Sequence, residues 1–264
     1  MITFDKKRCL ANIYFLAKEK NIKIGDLESA AGVSAGYLSR INKDDNETNP
    51  GIDFIVRVAD ALNTSIDTLI NIELSSLTPT ERYLISFIDK LKSDTTEDKL
   101  EWERSSADYL NRLETDCDGY IPHPLFSYET FYEKSDGDYP DQVSRVVFLS
   151  HTHECHTYIN DDCFSLKLKN GAVLYLMDIC KSVFHKNESG VYARELWMYK
   201  PNVGTQFLCS NMDMSPLSTL VDELYLIVKE FSKHPKIKKG LQDIIDAFMA
   251  DDFADDSEFG DLPF

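Results

Sequence analysis

The most constraining feature of this 264-residue chain is a run of four consecutive residues, Ala31-Gly32-Val33-Ser34. It stands between two segments of helical periodicity. Upstream, Leu27 and Ala30 or Ala31 face inward on a short helix over 24–31. Gly32 then offers the positive φ at which helices most readily end. Val33 begins a turn, and the Ser34 hydroxyl is placed to cap a second helix over 35–42. A small residue, a glycine, an apolar residue and a cap in succession let two short helices meet at a sharp angle. Around them the same periodicity predicts three more helices. One spans 5–19, with Leu10, Ile13, Tyr14 and Ala17 on one face. Another spans 52–62, with Ile55, Val56 and Ala59 inward, and a third spans 65–71, capped by Ser65 or Thr64.

The motif Leu27-x3-Ala31-Gly32-Val33-Ser34-x3-Leu38-Ser39-Arg40-Ile41, followed by Ala59-x2-Leu62 and Ser65-x3-Leu69, resembles the Cro/C1-type helix-turn-helix of the lambda-repressor-like, XRE family. The resemblance covers about residues 5–71. It implies a five-helix DNA-binding domain whose second motif helix enters the major groove of double-stranded DNA. Carried over by position, Ser34, Ala35, Gly36, Ser39 and Arg40 face DNA, Tyr37 lies beside them, and Lys43 reaches phosphate. Arg40 is the foremost reader, since a guanidinium bonds guanine bidentately; its alternative is an ion pair with a neighbouring acid. Ala35 and Gly36 offer little side chain at two reading positions, and Asp44-Asp45-Asn46-Glu47 is an acidic loop. A single copy is therefore expected to bind weakly and a homodimer to be needed.

Charge sharpens this division. The chain carries −17, yet residues 1–71 contribute only −1, with 9 bases against 10 acids. A negative surface repels phosphate, so contact with DNA is expected to be confined to the head. Downstream, Thr78-Pro79-Thr80-Glu81 is a helix start, with a cap, an N-terminal proline and an acid at the positive dipole end. Leu84, Ile85, Phe87, Ile88 and Leu91 form its stripe. Ser93-Asp94-Thr95-Thr96 is read as a break capping a second helix through Leu100, Trp102, Tyr109, Leu110 and Leu113. Such a pair suits a connector, either dimerising or packed on the next domain.

Residues 120–250 read as α+β. Strands are expected at 142–150, 163–169, 172–180, 191–200 and 205–210, in one antiparallel sheet, with Asn170-Gly171 as a type I′ hairpin turn. Two helices follow, one carrying Leu217, Leu220, Val221, Leu224, Ile227, Val228 and Phe231. The second carries Ile237, Leu241, Ile244, Ile245 and Phe248, and a two-layer packing is implied. The expected organisation is thus a DNA-binding domain at 1–73, a helical connector at 74–119, an α+β domain at 120–250 and an acidic tail at 251–264. The tail interleaves Phe and Leu with acids, as a solvated terminus or as a docking segment.

Little points to catalysis. There is no Gly-x-Ser-x-Gly, phosphate-binding glycine loop or dinucleotide fingerprint, so no enzyme and no cofactor are expected. His151, His153 and Cys155 would share one side of a strand and could hold a metal with Cys163 or His185. The spacing matches no standard zinc arrangement, however, and a polar strand end explains it equally. Cys155 could alternatively sense redox state, and Asp161-Asp162 could serve a metal but reads more readily as an exposed turn. Six scattered cysteines suit free thiols, no apolar run reaches the ~18 residues of a membrane span, and the cytosol is the expected compartment. The reading that results is a sequence-specific transcriptional regulator, a repressor of phage or bacterial origin with a C-terminal sensing or oligomerisation domain. The alternative is an acidic protein-interaction module that occupies a nucleic-acid-binding surface of a host protein.

Overall fold

The computed structural model describes residues 4–43, 45–46, 48–114, 121, 123–133, 139–150, 155–183, 190–213, 215–233 and 239–249. Its first five helices are α1 (Lys6–Glu19), α2 (Ile24–Ala30), α3 (Tyr37–Ile41), α4 (Ile52–Ala61) and α5 (Ile66–Asn71). Asp5 caps α1 by accepting from the Arg8 N–H at 3.0 Å, and Ser65 caps α5 by accepting from Thr68. Leu10, Ile13, Leu16 and Ala17 of α1 close on Leu27, Leu38, Val58, Leu62 and Leu69. Asn12, buried among them, donates to the carbonyls of Leu69 and Ile72 and accepts from the Leu74 N–H. This side chain satisfies the backbone where α5 ends and the chain turns toward the next helix. On α4 the inward face is Phe54, Ile55, Val58 and Ala59 rather than one that includes Val56, which is exposed. Phe54 is the larger apolar group, and its burial sets the rotation of the helix.

Helix α6 (Pro79–Thr96) begins at the expected place, with a reciprocal capping box between Thr78 and Glu81. It does not break at Ser93. Thr95 turns its hydroxyl back onto the Leu91 carbonyl at 2.6 Å and receives the Trp102 indole N–H at 3.0 Å, so its oxygen serves the helix it sits in. The chain reverses at Asp98, with φ +54°. The expected second connector helix is replaced by a short strand, β1 (Glu103–Ser105), and a single-turn helix, α7 (Ala107–Asn111). β1 pairs with β5, which places Leu100 and Trp102 against the core as part of a return path.

The remaining strands are β2 (Phe126–Glu133), β3 (Asp141–Phe148), β4 (Cys155–Ile159), β5 (Cys163–Lys167), β6 (Val173–Val183), β7 (Val191–Lys200) and β8 (Gly204–Ser210). They do not all join one sheet. Six strands form an antiparallel sheet in the order β1-β5-β6-β7-β8. β5 pairs with the first part of the long β6 and β4 with its second part. The expected strand at 142–150 lies instead in a separate ribbon, β2–β3, whose first strand was not expected. Its base, Phe126, Val146 and Phe148, packs with Tyr175, Met177, Ile179 and Trp197 on one face of the large sheet. The opposite face, Phe164, Leu166, Leu174, Leu176 and Leu196, meets α8 (Leu217–Phe231). The sheet is therefore covered on both sides, and two layers become three. Burial on both faces explains the continuous apolar run over 173–177 at the start of β6.

At Asn170-Gly171 the hairpin forms, but without the type I′ turn: Gly171 alone has positive φ (+79°). The Gly171 N–H bonds the Leu168 carbonyl and the Leu168 N–H bonds the Ala172 carbonyl. This is a three-residue loop, a type I turn closed by a left-handed glycine. A single buried cluster runs from the head through Ile85, Ile88 and Leu91 of α6 to α8 and the sheet. Lys92 of α6 also pairs with Glu223 of α8. The last helix, α9 (Lys239–Met249), departs from expectation: Leu241, Ile244, Ile245 and Phe248 are exposed rather than packed on the sheet.

Candidate nucleic-acid interface

The turn between α2 and α3 is built by backbone hydrogen bonding. The Val33 N–H reaches the Glu28 carbonyl and the Gly32 N–H reaches the Ser29 carbonyl, both at 3.0 Å. This is the double closure that a left-handed residue after a helix permits. Gly32 supplies that residue at φ +72°, and a Cβ there would lie 2.6 Å from Nη1 of Arg57. Ser34 does not cap the following helix. The chain makes one more turn, Tyr37 N–H to Ser34 carbonyl, and Gly36 adopts φ +77° as the residue before α3. The helix thus starts at Tyr37, two residues later than its sequence suggests.

Its free N–H groups are satisfied from another element. Glu28, only 3 % exposed, directs one carboxylate oxygen at the Gly36 N–H and the other at the Leu38 N–H, each at 2.8 Å. A buried carboxylate here fixes the angle between α2 and α3 and complements the positive end of α3. Sequence reasoning missed it because an acid beside Leu27 looks like surface. Its only signal is its place one residue after a core position, facing the turn.

Around this frame Ser34, Ala35, Ser39, Arg40 and Lys43 are exposed, while Gly36 and Tyr37 are half-buried. Tyr37 is drawn inward, its ring 4.9 Å from that of Phe54, so it serves mainly to seat α3 on α4. Leu38 and Ile41 anchor the helix from beneath. Arg40 lies back across the turn, donating to Ser34 Oγ at 2.6 Å and the Ala35 carbonyl at 3.2 Å. Both acceptors are neutral and exposed. Among the described residues Arg40 makes no ion pair with a carboxylate, and the guanidinium can exchange these bonds for a base edge at low cost. The loop after α3 is held by Asn46, which donates to the Arg40 carbonyl, while Lys6 of α1 donates to the Asn46 carbonyl. Asp45 is exposed there; Asp44 and Glu47 lie outside the described residues. Arg57 is a second exposed base beside the turn that the sequence did not single out.

This geometry and the comparisons with known proteins coincide. A family model described as helix-turn-helix matches residues 13–69. Residues 13–69 form a helix-turn-helix domain of the Cro/C1 type. Over that region the chain is similar to the HTH-type transcriptional regulator SinR of Bacillus licheniformis, 41 % identical over 54 residues. It is likewise similar to SinR of Bacillus subtilis (strain 168), 39 % identical over 54 residues. Each alignment covers 20 % of this chain and 48 % of the relative, so the chain spans about half the length of the curated relatives it matches. No solved structure matches.

Outside the helix-turn-helix domain the other candidates divide. His151, His153 and His185 lie outside the described residues, as do the Cys155 side chain and the tail 251–264. Among the described residues no cluster of three His, Cys, Asp or Glu could hold a metal. Cys9, Cys163, Cys180 and Cys209 are free and buried. Burial pushes the thiols of Cys9 and Cys209 up to about 11 and about 12, which leaves them unreactive near neutrality. Asp161 and Asp162 are not an open turn: Asp161 holds Lys229 and Asp162 holds Arg104. No helix among the described residues is long and apolar enough to cross a membrane.

Proposed function

We propose that this chain is a sequence-specific DNA-binding transcriptional regulator, acting as a dimeric repressor through α3. The observation that carries the reading is the arrangement of α3. Its N-terminus is locked by Glu28 from α2, its buried side holds Leu38 and Ile41, and its outward side presents Ser39 and Arg40. A recognition helix needs that division: rigid support beneath and displaceable polar groups above. The similarity to regulators named SinR supports the same class of function for the head. Lys43 and Arg57 are exposed cations within reach of the same face, and phosphate contacts of this kind set register and salt dependence. Two copies would present two α3 helices to half-sites about one helical turn apart. The body, in which Arg104, Lys167, Lys181, Arg194 and Lys229 are engaged with carboxylates, would then serve sensing or assembly.

Selection from random duplex DNA with the full chain tests this. Enrichment of a two-part site with half-sites spaced by ~10 base pairs is the expected result. Recovery of no preferred sequence would remove the regulator reading.

A further inference from the structure

The face of the sheet beneath α8 changes character along β6 and β7. Leu174, Leu176 and Leu196 lie in the buried core, but further along the same face β6 offers Asp178, and β7 offers Arg194 and then Tyr192. Asp178 and Arg194 stand directly opposite each other across the two strands. With Asn160 after β4, Asn211 after β8 and Asp222 of α8, they line an open cavity of about 370 Å³.

These side chains hold one another. Asp178, 8 % exposed, accepts from the Asn160 side-chain amide at 3.0 Å and from Nε of Arg194 at 3.3 Å. Oδ1 of Asp222 accepts from Nη1 of Arg194 and from the Asn211 side-chain amide, both at 3.0 Å. Oδ1 of Asn211 accepts from the Arg194 backbone N–H at 2.9 Å, and the guanidinium lies 4.5 Å from the centre of the buried Tyr225 ring. The ends of β4 and β8, the strands β6 and β7 and the helix α8 thus fix the polar groups in advance of any ligand. Oδ2 of Asp222, Oδ1 of Asn160 and Nη2 of Arg194 hold no hydrogen bond among the described residues.

A brace that served the fold alone would be closed over. This one borders a cavity, with the side chains of Arg194 and Asp222 25 % and 40 % exposed and the ring of Tyr192 largely in solvent. Its chemistry selects the ligand. One guanidinium between two carboxylates leaves a net −1, which opposes an anion. Both carboxylates already hold a cation, which leaves little for a second. What remains is a fixed mixture of donors and acceptors beside an aromatic ring. A hydroxyl both donates and accepts, so neighbouring hydroxyls on one small ring match that mixture, while Tyr192 supplies an apolar face. The volume is at the small end of ligand cavities, which suits a single ring rather than a polymer.

We propose that this cavity binds a neutral polyhydroxylated ring of monosaccharide size. The proposal rests on the sensing part of the functional reading and not on the DNA-reading role of α3.

Saturation-transfer difference NMR of the full chain with ribose, glucose, galactose and myo-inositol, each up to ~10 mM, tests it. At least one of the four should bind saturably, and its Kd should rise by roughly tenfold or more in Tyr192→Ala and in Asp222→Asn. Tyr83→Ala, which removes an exposed aromatic ring on α6, should bind as the wild type does. Far-UV circular dichroism should be unchanged in all three; if Asp222→Asn alters it, Tyr192→Ala decides. No saturable binding by any of the four, or tighter binding of putrescine or citrate than of all of them, would overturn the proposal. So would undiminished binding in Tyr192→Ala, undiminished binding in a folded Asp222→Asn, or an equal loss in Tyr83→Ala. Selection of duplex DNA without any of these compounds keeps the two readings apart. An enriched site with no saturable binding removes the cavity proposal alone, and saturable binding with no enriched site removes the regulator reading alone.

Discussion

The α3 face of the head and the sheet of the body use the same cations in opposite ways. In the body, carboxylates meet five of them: Arg104 with Asp162, Lys167 with Glu103, Lys181 with Glu195, Arg194 with Asp178 and Asp222, and Lys229 with Asp161. Several of these pairs join elements far apart in sequence, so their work is internal. On the α3 face Arg40, among the described residues, touches only neutral oxygens, while Glu28 is buried against backbone N–H groups. A cation already neutralised cannot release counterions from phosphate, whereas one resting on a hydroxyl can. The difference locates nucleic-acid affinity more sharply than net charge does, because it depends on which charges are spent.

The largest test of this contrast is at Glu28. Glu28→Ala leaves the Gly36 and Leu38 N–H groups without their acceptor and should cost ~2–4 kcal/mol of unfolding free energy in urea denaturation. Glu28→Gln, which keeps one acceptor oxygen, should cost less. A loss under ~0.5 kcal/mol for the alanine variant would show that the carboxylate is not what holds α3.

Next in size is Arg40→Ala, expected to cost ~1–3 kcal/mol of binding to the preferred site and to relax preference at one base pair. Arg104→Ala, in the body, should leave DNA affinity unchanged. Fluorescence anisotropy with preferred and scrambled duplexes checks both. Equal losses from the two variants would erase the distinction between free and spent cations.

Gly36→Ala should destabilise by ~1–2 kcal/mol, because the left-handed backbone before α3 disfavours a Cβ. The nearest atom to such a Cβ, Nη1 of Arg40, is 3.8 Å away, so there is no clash to add. A shift in denaturation midpoint beyond that range would mean that the turn itself rearranges.

The smallest effect concerns His123, packed edge-on against Tyr175 and Phe126, with Nδ1 accepting from the Leu125 N–H. Burial lowers its pKa below the ordinary value of 6.5. The native state therefore favours the neutral ring, and this contribution is fully present above pH ~6.5. It should be lost as pH falls through the lowered native value, when protonation removes the acceptor. His123→Leu should flatten the acid side of a stability–pH profile, and an unchanged slope would assign that dependence to other groups.

How much was legible followed from how local each signal was. Gly32, the Ser65 cap and the helix start at Thr78–Glu81 were readable because each acts within four residues of itself. Ser34 misled because a local cap was available in sequence, while the fold used Glu28, eight residues from the N–H it serves. The expected helix through Trp102 and Leu110 failed similarly. Its apolar residues were real, but Trp102 precedes a return strand and Leu110 belongs to the core on the far face of the sheet. The ribbon strand at 126–133 was missed because Phe126-Ser127-Tyr128-Glu129 alternates for only four residues before Thr130-Phe131 breaks the pattern.

Sequence alone determined the helix-turn-helix at 13–69, the hairpin around Gly171 and the confinement of near-neutral charge to the head, since turn chemistry and composition require no distant partner. Only the tertiary structure decided that Glu28 sets the angle of α3, that α6 joins the head to the sheet in one core, and that the stripe of α9 stays in water. Periodicity records that a face is apolar. What covers that face depends on surfaces brought together from distant parts of the chain, and no short window of sequence contains them.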